Sequence, residues 1–422
     1  MLERTKKFAS GLRAKHGNII RNTVWLSVAE IGSRIARGLL AIVAARMLGV
    51  SGLGVFAYAL ALGGFLTFFE EAGIGIFVTR EFAKGSARRN QVFGTALILK
   101  LVLLAIAIAT FFIIGPLASN IPGATLIIPA IALVLISDSL RLFFFSISRA
   151  QEQMQTESKV QMVTNILVVV FGIGFMAISP TPLALTLGYV VGGWVGLFMI
   201  IWQIRTYLPE PKSAFSKKIF VEIFAAAWPF TFLAISNVLI YNTDTLFIGH
   251  YSTVQQVGLY GAASRLVQVL YIVPTLIATT TFPLLVKKIA EPAAFGSALK
   301  KLLLGVTALA IPLVLLVMAE SRLIMSILFG RPFAAAGPML AILIVTCIPV
   351  FMSIILNNAI FALNRQGKFV IANIAGVVVN IGLDFLLVPR YAGIGAAIAS
   401  VLGIATITIV TAMKIKNIDK IV

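Results

Sequence analysis

Long apolar stretches, separated by short charged or turn-rich connections, follow one another along the whole chain. About 20 consecutive apolar residues are enough for a helix to cross the hydrocarbon core of a bilayer. Twelve such spans are predicted, at roughly 19–45, 53–79, 92–115, 123–148, 158–178, 182–204, 220–248, 257–285, 299–319, 334–361, 369–389 and 392–414. Only 12% of the 422 residues are charged, about half the share in soluble domains. A water-soluble fold is therefore excluded, and an all-α polytopic membrane protein is expected.

Lysine and arginine residues are distributed unevenly over the connections between these spans. They number 34 against 15 acidic residues, for a net charge of +19. If the chain has twelve spans, 25 of the lysines and arginines lie on the side of the membrane that holds both termini. Four lie on the other side, namely Arg46, Arg322, Arg331 and Arg390. Cytoplasmic loops are enriched in these residues, and one missed span would invert every later loop. Both termini are therefore predicted to be cytoplasmic, and orientation in a cytoplasmic membrane, not nucleic-acid binding, explains the charge.

The connection at 205–218 (RTYLPEPKSAFSKK) is polar, holds two prolines and divides the chain near its midpoint. Segments on its two sides resemble each other: LGVFA at 53–57 resembles VGLYG at 257–261, and glycines 188, 192 and 196 align with Gly395, Ala399 and Gly403. Two repeats of six spans enter the membrane from the same side. The predicted domains are a cytoplasmic basic segment (1–18), an N-lobe (19–204), a cytoplasmic linker (205–218), a C-lobe (219–414) and a cytoplasmic tail (415–422), with a central cavity between the lobes.

Charged side chains within the spans are the candidate functional residues, because burying a charge in a membrane is costly and usually serves a polar cavity. Together with one amide, the candidates for the cavity are Glu30, Arg34, Arg37, Glu70, Glu71, Lys100, Asp138, Arg141, Arg149, Asn237, Asp244, Arg265 and Asp384. Spacing places the first three on one helical face, and Asp138, Arg141 and Arg149 on another.

Arginine suits an anionic ligand, since its planar fork of donors matches phosphate oxygens. The acidic residues would balance this charge or carry a coupling proton. An alternative interpretation pairs Glu30 with Arg34 and Asp138 with Arg141 along their own helices, while Arg149 and Lys100 extend to an interface.

Signatures of catalysis and metal binding are missing from the sequence. Cys347 is the single cysteine, the two histidines are far apart, and neither a nucleotide-binding GxxxxGK[ST] nor an HExxH motif occurs. Every connection is about 20 residues or shorter, which leaves little room for an ATPase or a catalytic domain. The sequence therefore predicts no catalytic residue, metal or cofactor and disfavours ATP-driven transport by this chain alone, while H⁺ or Na⁺ coupling is left open.

Residues 21–81 resemble the polysaccharide biosynthesis (O-antigen, Wzx-type) flippase family of the multidrug/oligosaccharidyl-lipid/polysaccharide exporter superfamily. The matching features are Arg21-Asn22, Ala45-Arg46-x-Leu48-Gly49, Gly54, Gly73 and Arg80-Glu81. In the second half, VGLY at 257–260 and LNRQG at 363–367 look like the family's counterparts. Glu70-Glu71 departs from the single acidic residue that many relatives have before the glycine.

The resemblance implies alternating access between two lobes, moving a polyprenyl phosphate- or pyrophosphate-linked oligosaccharide to the outer leaflet for surface glycan synthesis. Expected partners are this substrate, membrane lipids, and a glycan polymerase or glycosyltransferases, with the chain itself a monomer. The alternatives are a multidrug or cation exporter of the same superfamily, whose cavity would be acidic or aromatic, and a membrane-embedded glycosyl- or acyltransferase.

Overall fold

A computed structural model describes residues 2–71, 73–85, 88–118, 121–208, 215–363 and 366–416. Within these ranges the chain is helical and forms no β-strand. The helices are α1 (Leu2–Glu71), α2 (Ile74–Ala83), α3 (Arg89–Ala118), α4 (Ala124–Ala150), α5 (Met154–Ile178), α6 (Pro182–Ile204), α7 (Lys217–Tyr251), α8 (Val254–Leu270), α9 (Ile272–Lys287), α10 (Pro292–Ala319), α11 (Ser321–Phe329), α12 (Gly337–Leu343), α13 (Cys347–Ala362) and α14 (Gln366–Lys416). Short 3₁₀ segments lie at Arg205–Tyr207, Arg331–Ala336 and Ile344–Thr346.

The two longest helices each contain one residue with non-helical backbone angles. Gly49 in α1 has φ 68° and ψ −175°, and Ala392 in α14 has φ 49° and ψ −129°. The Gly49 angles are open almost only to glycine. The break at Gly49 lies in the predicted connection between the first two spans, and that at Ala392 lies at the predicted start of the twelfth span. The prediction that α1 and α14 each hold two spans joined by a bend agrees with these positions.

Nine segments among the described residues are long and apolar enough to cross a membrane. They are Ile31–Gly64, Arg89–Leu117, Ala124–Ala150, Met154–Ile178, Pro182–Tyr207, Val254–Lys287, Pro292–Ala319, Arg331–Ala362 and Phe369–Ile415. The first and last contain the bends, and α7 lies over the predicted span at 220–248. The multi-pass membrane fold is therefore confirmed, whereas the total of twelve and the cytoplasmic termini stay predictions.

Three predicted spans are interrupted in the structure. The second span stops at Glu71 and α2 begins after Gly73, whose φ of 66° favours glycine. The eighth span is divided at Tyr271 into α8 and α9, and the tenth into two α-helices and two 3₁₀ segments. Apolar periodicity does not detect such divisions, because the side chains on both sides of the interruption remain buried in the same environment.

Small residues allow the helices within each lobe to pack closely. A Cβ on Gly188 of α6 would overlap the backbone of Gly172 in α5, and one on Gly196 would overlap Thr164. In the second lobe, Gly403 packs against Asn380 and the carbonyl of Gly376 within the folded-back α14. The aligned glycine ladders of the two halves therefore serve helix packing.

The two lobes meet where α1 crosses α8. A Cβ on Gly54 would overlap the carbonyl oxygen of Val254, and one on Gly258 would overlap that of Val50. Gly54 and Gly258 occupy equivalent positions in the two sequence repeats, so the repeats contact each other through matching glycines. Beside this crossing, the guanidinium of Arg46 donates hydrogen bonds to the carbonyls of Leu328 (2.9 Å) and Ile327 at the end of α11.

Candidate anion-binding cavity

A cavity of about 420 Å³ lies between the lobes. Helices α1, α4, α5 and α6 form its wall on the first-lobe side, and α7 and α8 form the wall on the second-lobe side. Its charged lining residues, among those the structure describes, are Arg34, Arg37, Asp138, Arg141 and Arg265. Four guanidinium groups therefore face one carboxylate, and the anion cavity, as we call it, carries a net positive charge.

Arg141 is the most deeply buried of these arginines, with 4% of its surface exposed. Its Nη2 donates to Asp138 Oδ1 at 2.8 Å, one helical turn away on α4. Its Nε and Nη1 are buried and find no hydrogen-bond partner in the described part of the chain. Buried donors normally have partners, so the arrangement lacks an acceptor that an anion in the cavity would supply.

Arg37 is held from the side by a buried amide. Its Nε donates to Asn165 Oδ1 of α5 at 3.0 Å. The Asn165 amide nitrogen in turn donates to Ser33 Oγ and to the carbonyl of Gln161, both at 2.7 Å. Ser33 itself donates to the carbonyl of Ala29 at 2.6 Å. These bonds connect α1 to α5 in the wall of the cavity.

Arg265 is the second lobe's contribution to the positive charge. It lies within electrostatic range of Arg37 on the opposite lobe and of Tyr189 on α6. Two guanidinium groups within electrostatic range of each other repel, and an anion between them would attract both. On the same wall, Tyr241 of α7 lies in electrostatic range of Arg34.

A second polar group, the acidic cluster, lies within the second lobe and consists of Asp244, Tyr260, Asn380, Asp384 and Ser400. Asp244 accepts hydrogen bonds from the Tyr260 and Ser400 hydroxyls and from Asn380 Nδ2, the last at 3.0 Å. Asp384 is completely buried and interacts electrostatically with Asp244. Both Asp384 carboxyl oxygens and the Asn380 amide oxygen have no hydrogen-bond donor among the described residues.

The structure therefore separates the predicted candidates into two sites. Arg34, Arg37, Asp138, Arg141 and Arg265 share the anion cavity, whereas Asp244 and Asp384 belong to the acidic cluster. The helical pairing of Asp138 with Arg141 is confirmed, yet both residues also line the cavity. The side chains of Glu30, Glu70, Glu71 and Asn237 lie outside the described part of the chain.

Two further candidates are placed elsewhere. Arg149 lies at the end of α4 and forms a two-pronged ion pair with Glu157, with N–O distances of 2.6 and 2.8 Å. Lys100 is buried in α3 and does not line the anion cavity. The exposed Arg149 agrees with the alternative interpretation, in which it extends to an interface, whereas the buried Lys100 does not.

Sequence reasoning missed several polar residues of the two sites. Asn165 and Tyr189 belong to the anion cavity, and Tyr260 and Ser400 to the acidic cluster. The sequence offered a signal for Asn165, because an amide side chain within an apolar span is unusual. Asn237 is predicted as a cavity residue on the same ground. Tyrosine and serine are common in membrane helices, so only their positions reveal their role.

Comparison with protein families matches residues 19–289 to the family described as polysaccharide biosynthesis protein. The chain belongs to this family. The match includes all of the first lobe's cavity residues and those of α7 and α8. Among the described residues, no group of three or more His, Cys, Asp or Glu could hold a metal ion.

Two curated relatives extend over most of the chain. A probable low-salt glycan biosynthesis flippase of Haloferax volcanii is 24% identical over 375 residues, covering 87% of this chain and 77% of the relative. A putative O-antigen transporter of Shigella flexneri is 24% identical over 396 residues, covering 90% of this chain and 94% of the relative.

Solved structures share the fold. The lipid II flippase MurJ, in an inward closed conformation, matches with a TM-score of 0.75 at 16% identity, covering 93% of this chain and 87% of its own. An inward-facing MATE family multidrug transporter of the MOP superfamily matches with a TM-score of 0.68 at 15% identity. The match covers 94% of this chain and 96% of the transporter. The predicted two-lobed exporter fold is thereby confirmed.

Proposed function

We propose that this protein flips a polyprenyl phosphate- or pyrophosphate-linked oligosaccharide across the cytoplasmic membrane for surface glycan synthesis. The observation that carries the proposal is the anion cavity, in which four arginines face one aspartate and Arg141 keeps two buried donors without partners. A phosphate group supplies several acceptor oxygens in a small volume and matches the guanidinium fork. The names of the two relatives, a flippase and an O-antigen transporter, agree with it.

Binding would involve both lobes. Arg34, Arg37 and Arg141 come from α1 and α4, and Arg265 comes from α8. A phosphate placed between Arg37 and Arg265 removes their mutual repulsion and draws the lobes together, so that substrate occupancy favours closure around the headgroup. The lipid tail would remain in the bilayer, because the apolar chain gains nothing from entering a charged cavity.

The charge of the cavity separates this function from the alternatives. A cation exporter would bind its substrate in an acidic or aromatic cavity. Aromatic residues also line this cavity, but its described charged residues are four arginines and one aspartate, which repel a cation. The transferase alternative receives no support from the relatives, whose names describe transport. We therefore assign no catalytic residue.

The acidic cluster supplies a site for a coupling ion, which we propose to be Na⁺. Three oxygen atoms, two from Asp384 and one from Asn380, lack donors and are buried beside Asp244. Buried acceptors without donors are costly, and two adjacent carboxylates repel. A bound cation would resolve both problems, with Asp384, Asn380 and Asp244 as ligands. The competing possibility is a proton shared between the two carboxyl groups. A Na⁺-binding test that detects no Na⁺ would favour it.

The interaction with other proteins follows from the substrate. A flippase delivers its product to enzymes that extend or transfer the glycan, so we propose a polymerase or glycosyltransferases as neighbours in the membrane. Since the cavity is completed by the two lobes of one chain, a monomer is sufficient for transport.

Translocation can be measured with purified protein in liposomes that contain a polyprenyl pyrophosphate disaccharide labelled with a fluorophore. Dithionite bleaches only the label in the outer leaflet, so flipping appears as additional bleaching. We expect the wild type and Arg390→Gln, an exposed arginine outside the cavity, to increase bleaching equally over empty liposomes. Ethidium transport without lipid flipping would contradict the proposal and favour the exporter.

A further inference from the structure

Asn165 differs from Arg141 of the same cavity in that its amide oxygen and both of its amide hydrogens have partners within the protein. It lies on α5 with 4% of its surface exposed. Its oxygen accepts from Arg37 Nε at 3.0 Å, and its nitrogen donates to Ser33 Oγ and the Gln161 carbonyl. The amide is thus anchored at both ends, to its own helix and to α1.

These bonds fix the orientation of the amide. The nitrogen already has two acceptors, so a reversed amide would place a donor against the Arg37 guanidinium and lose both of those bonds. The oxygen must therefore face Arg37. Ser33 supports the same orientation, because its own hydroxyl hydrogen is engaged by the Ala29 carbonyl and its lone pair is left for Asn165.

The contact uses only one of the five N–H groups of Arg37. Nε is occupied by Asn165, so the two terminal nitrogens are left for other partners. Arg37 has an exposed side chain that lines the cavity and lies in electrostatic range of Arg265. An unrestrained arginine of this kind would turn away from the second positive charge.

We propose that Asn165 is a positioning residue for anion recognition: it holds Arg37 at Nε so that the two terminal nitrogens face the phosphate beside Arg265. This inference rests on the proposed function, because it specifies how one arginine of the cavity is presented to the substrate. The ion pair with Asp138 gives Arg141 an equivalent restraint, but there a charge holds the arginine. A neutral amide restrains Arg37 without cancelling its charge, which preserves the attraction for an anion.

The test is a double-mutant cycle on the purified full-length protein, with inorganic pyrophosphate as the probe and its Kd as the measurement. We expect Asn165→Ala to raise the Kd about tenfold, comparable to removing the partner that orients a binding side chain. In an Arg37→Ala background the same change should leave the Kd unaltered, because the residue it positions is gone. In an Arg141→Ala background, Asn165→Ala should again raise the Kd about tenfold.

Two further variants keep the test decisive if Asn165→Ala folds poorly. Ser33→Ala removes one support of the amide and should raise the Kd by a smaller factor, about two- to threefold, again only when Arg37 is present. Asn165→Gln retains the amide and should restore part of the affinity. A purely structural role would lower thermal stability equally in every background and would leave no coupling to Arg37.

Failure of the inference can be distinguished from failure of the proposed function. If the wild type does not bind pyrophosphate, or if Arg37→Ala and Arg141→Ala leave its Kd unchanged, the proposed function is contradicted. If those arginine variants weaken binding but Asn165→Ala does not, or weakens it equally without Arg37, only the positioning role is overturned.

Discussion

The anion cavity and the acidic cluster are both buried within a membrane fold, yet they have opposite charge and opposite hydrogen-bonding deficits. In the cavity, Arg141 has donors without acceptors, and in the cluster, Asp384 and Asn380 have acceptors without donors. The cavity also has about 420 Å³ of space, enough for a phosphate group, whereas the pocket beside Asp244, Tyr260 and Ser400 has only about 40 Å³. One region is therefore suited to a polyatomic anion and the other to a single small cation.

The largest effect is expected from removing two of the cavity's three first-lobe arginines. Replacing Arg34 and Arg141 together by alanine leaves Asp138 without its ion-pair partner and removes half of the guanidinium groups. We expect lipid flipping in liposomes and surface glycan export to be abolished, with protein abundance unchanged. Normal surface glycan in cells carrying this double variant would contradict the assignment of the cavity.

A large but different effect is expected in the acidic cluster. Asp384→Asn keeps the size of the side chain but removes one negative charge, so Na⁺ binding should weaken at least tenfold. Pyrophosphate binding to the cavity should stay within about twofold of wild type, since Asp384 does not line it. Isothermal titration with each ligand tests both statements. Equal loss of both affinities would show that the two regions are not separate sites.

A smaller effect should reveal whether the cavity recognises geometry as well as charge. Arg141→Lys retains the positive charge but replaces the planar fork by a single ammonium group. We expect the Kd for pyrophosphate to rise about five- to tenfold, roughly 1.0–1.4 kcal/mol, and Arg141→Gln to cost more. If the lysine variant binds like wild type, charge alone attracts the anion and the unpartnered donors have no specific role.

The smallest effect is expected at Arg149, which the sequence places on the same helical face as Arg141. Its guanidinium is satisfied by Glu157 at the end of α4, away from the cavity. Arg149→Gln should therefore change the Kd for pyrophosphate by less than twofold, although loss of the ion pair could lower thermal stability by about 1 kcal/mol. A tenfold loss of binding would extend the anion site to the helix end.

The predicted fold agrees with the structure because its main determinants are local. An apolar stretch must be helical in lipid to satisfy its backbone hydrogen bonds, and Gly49 permits a bend that other residues resist. The glycine ladders at 188–196 and 395–403 likewise indicated close packing before any partner was known. Divisions such as that between α8 and α9 escaped prediction, since they leave the apolar pattern intact.

The candidate site was predicted only in part. Helical spacing fixes which residues of one helix share a face, so it groups Arg34 with Arg37 on α1 and Asp138 with Arg141 on α4, and the structure places all four in the cavity wall. The same rule places Arg149 on the face of Arg141, but that face continues to the helix end, where Arg149 pairs with Glu157 and does not line the cavity. Arg265 is predicted from its charge alone, whereas Asn165 is missed; both reach the cavity from other helices, α8 and α5, and no spacing rule connects them to α1.

The sequence by itself determined a basic, polytopic helical protein with two related halves and a small set of charges in its spans. These properties depend on hydrophobic length, charge and period, which are read along the chain. Only the tertiary structure decided that the arginines gather in one cavity and the aspartates Asp244 and Asp384 in another site. That division depends on contacts between distant segments, such as Arg37 with Asn165 and Asp244 with Asn380, where packing sets the distances.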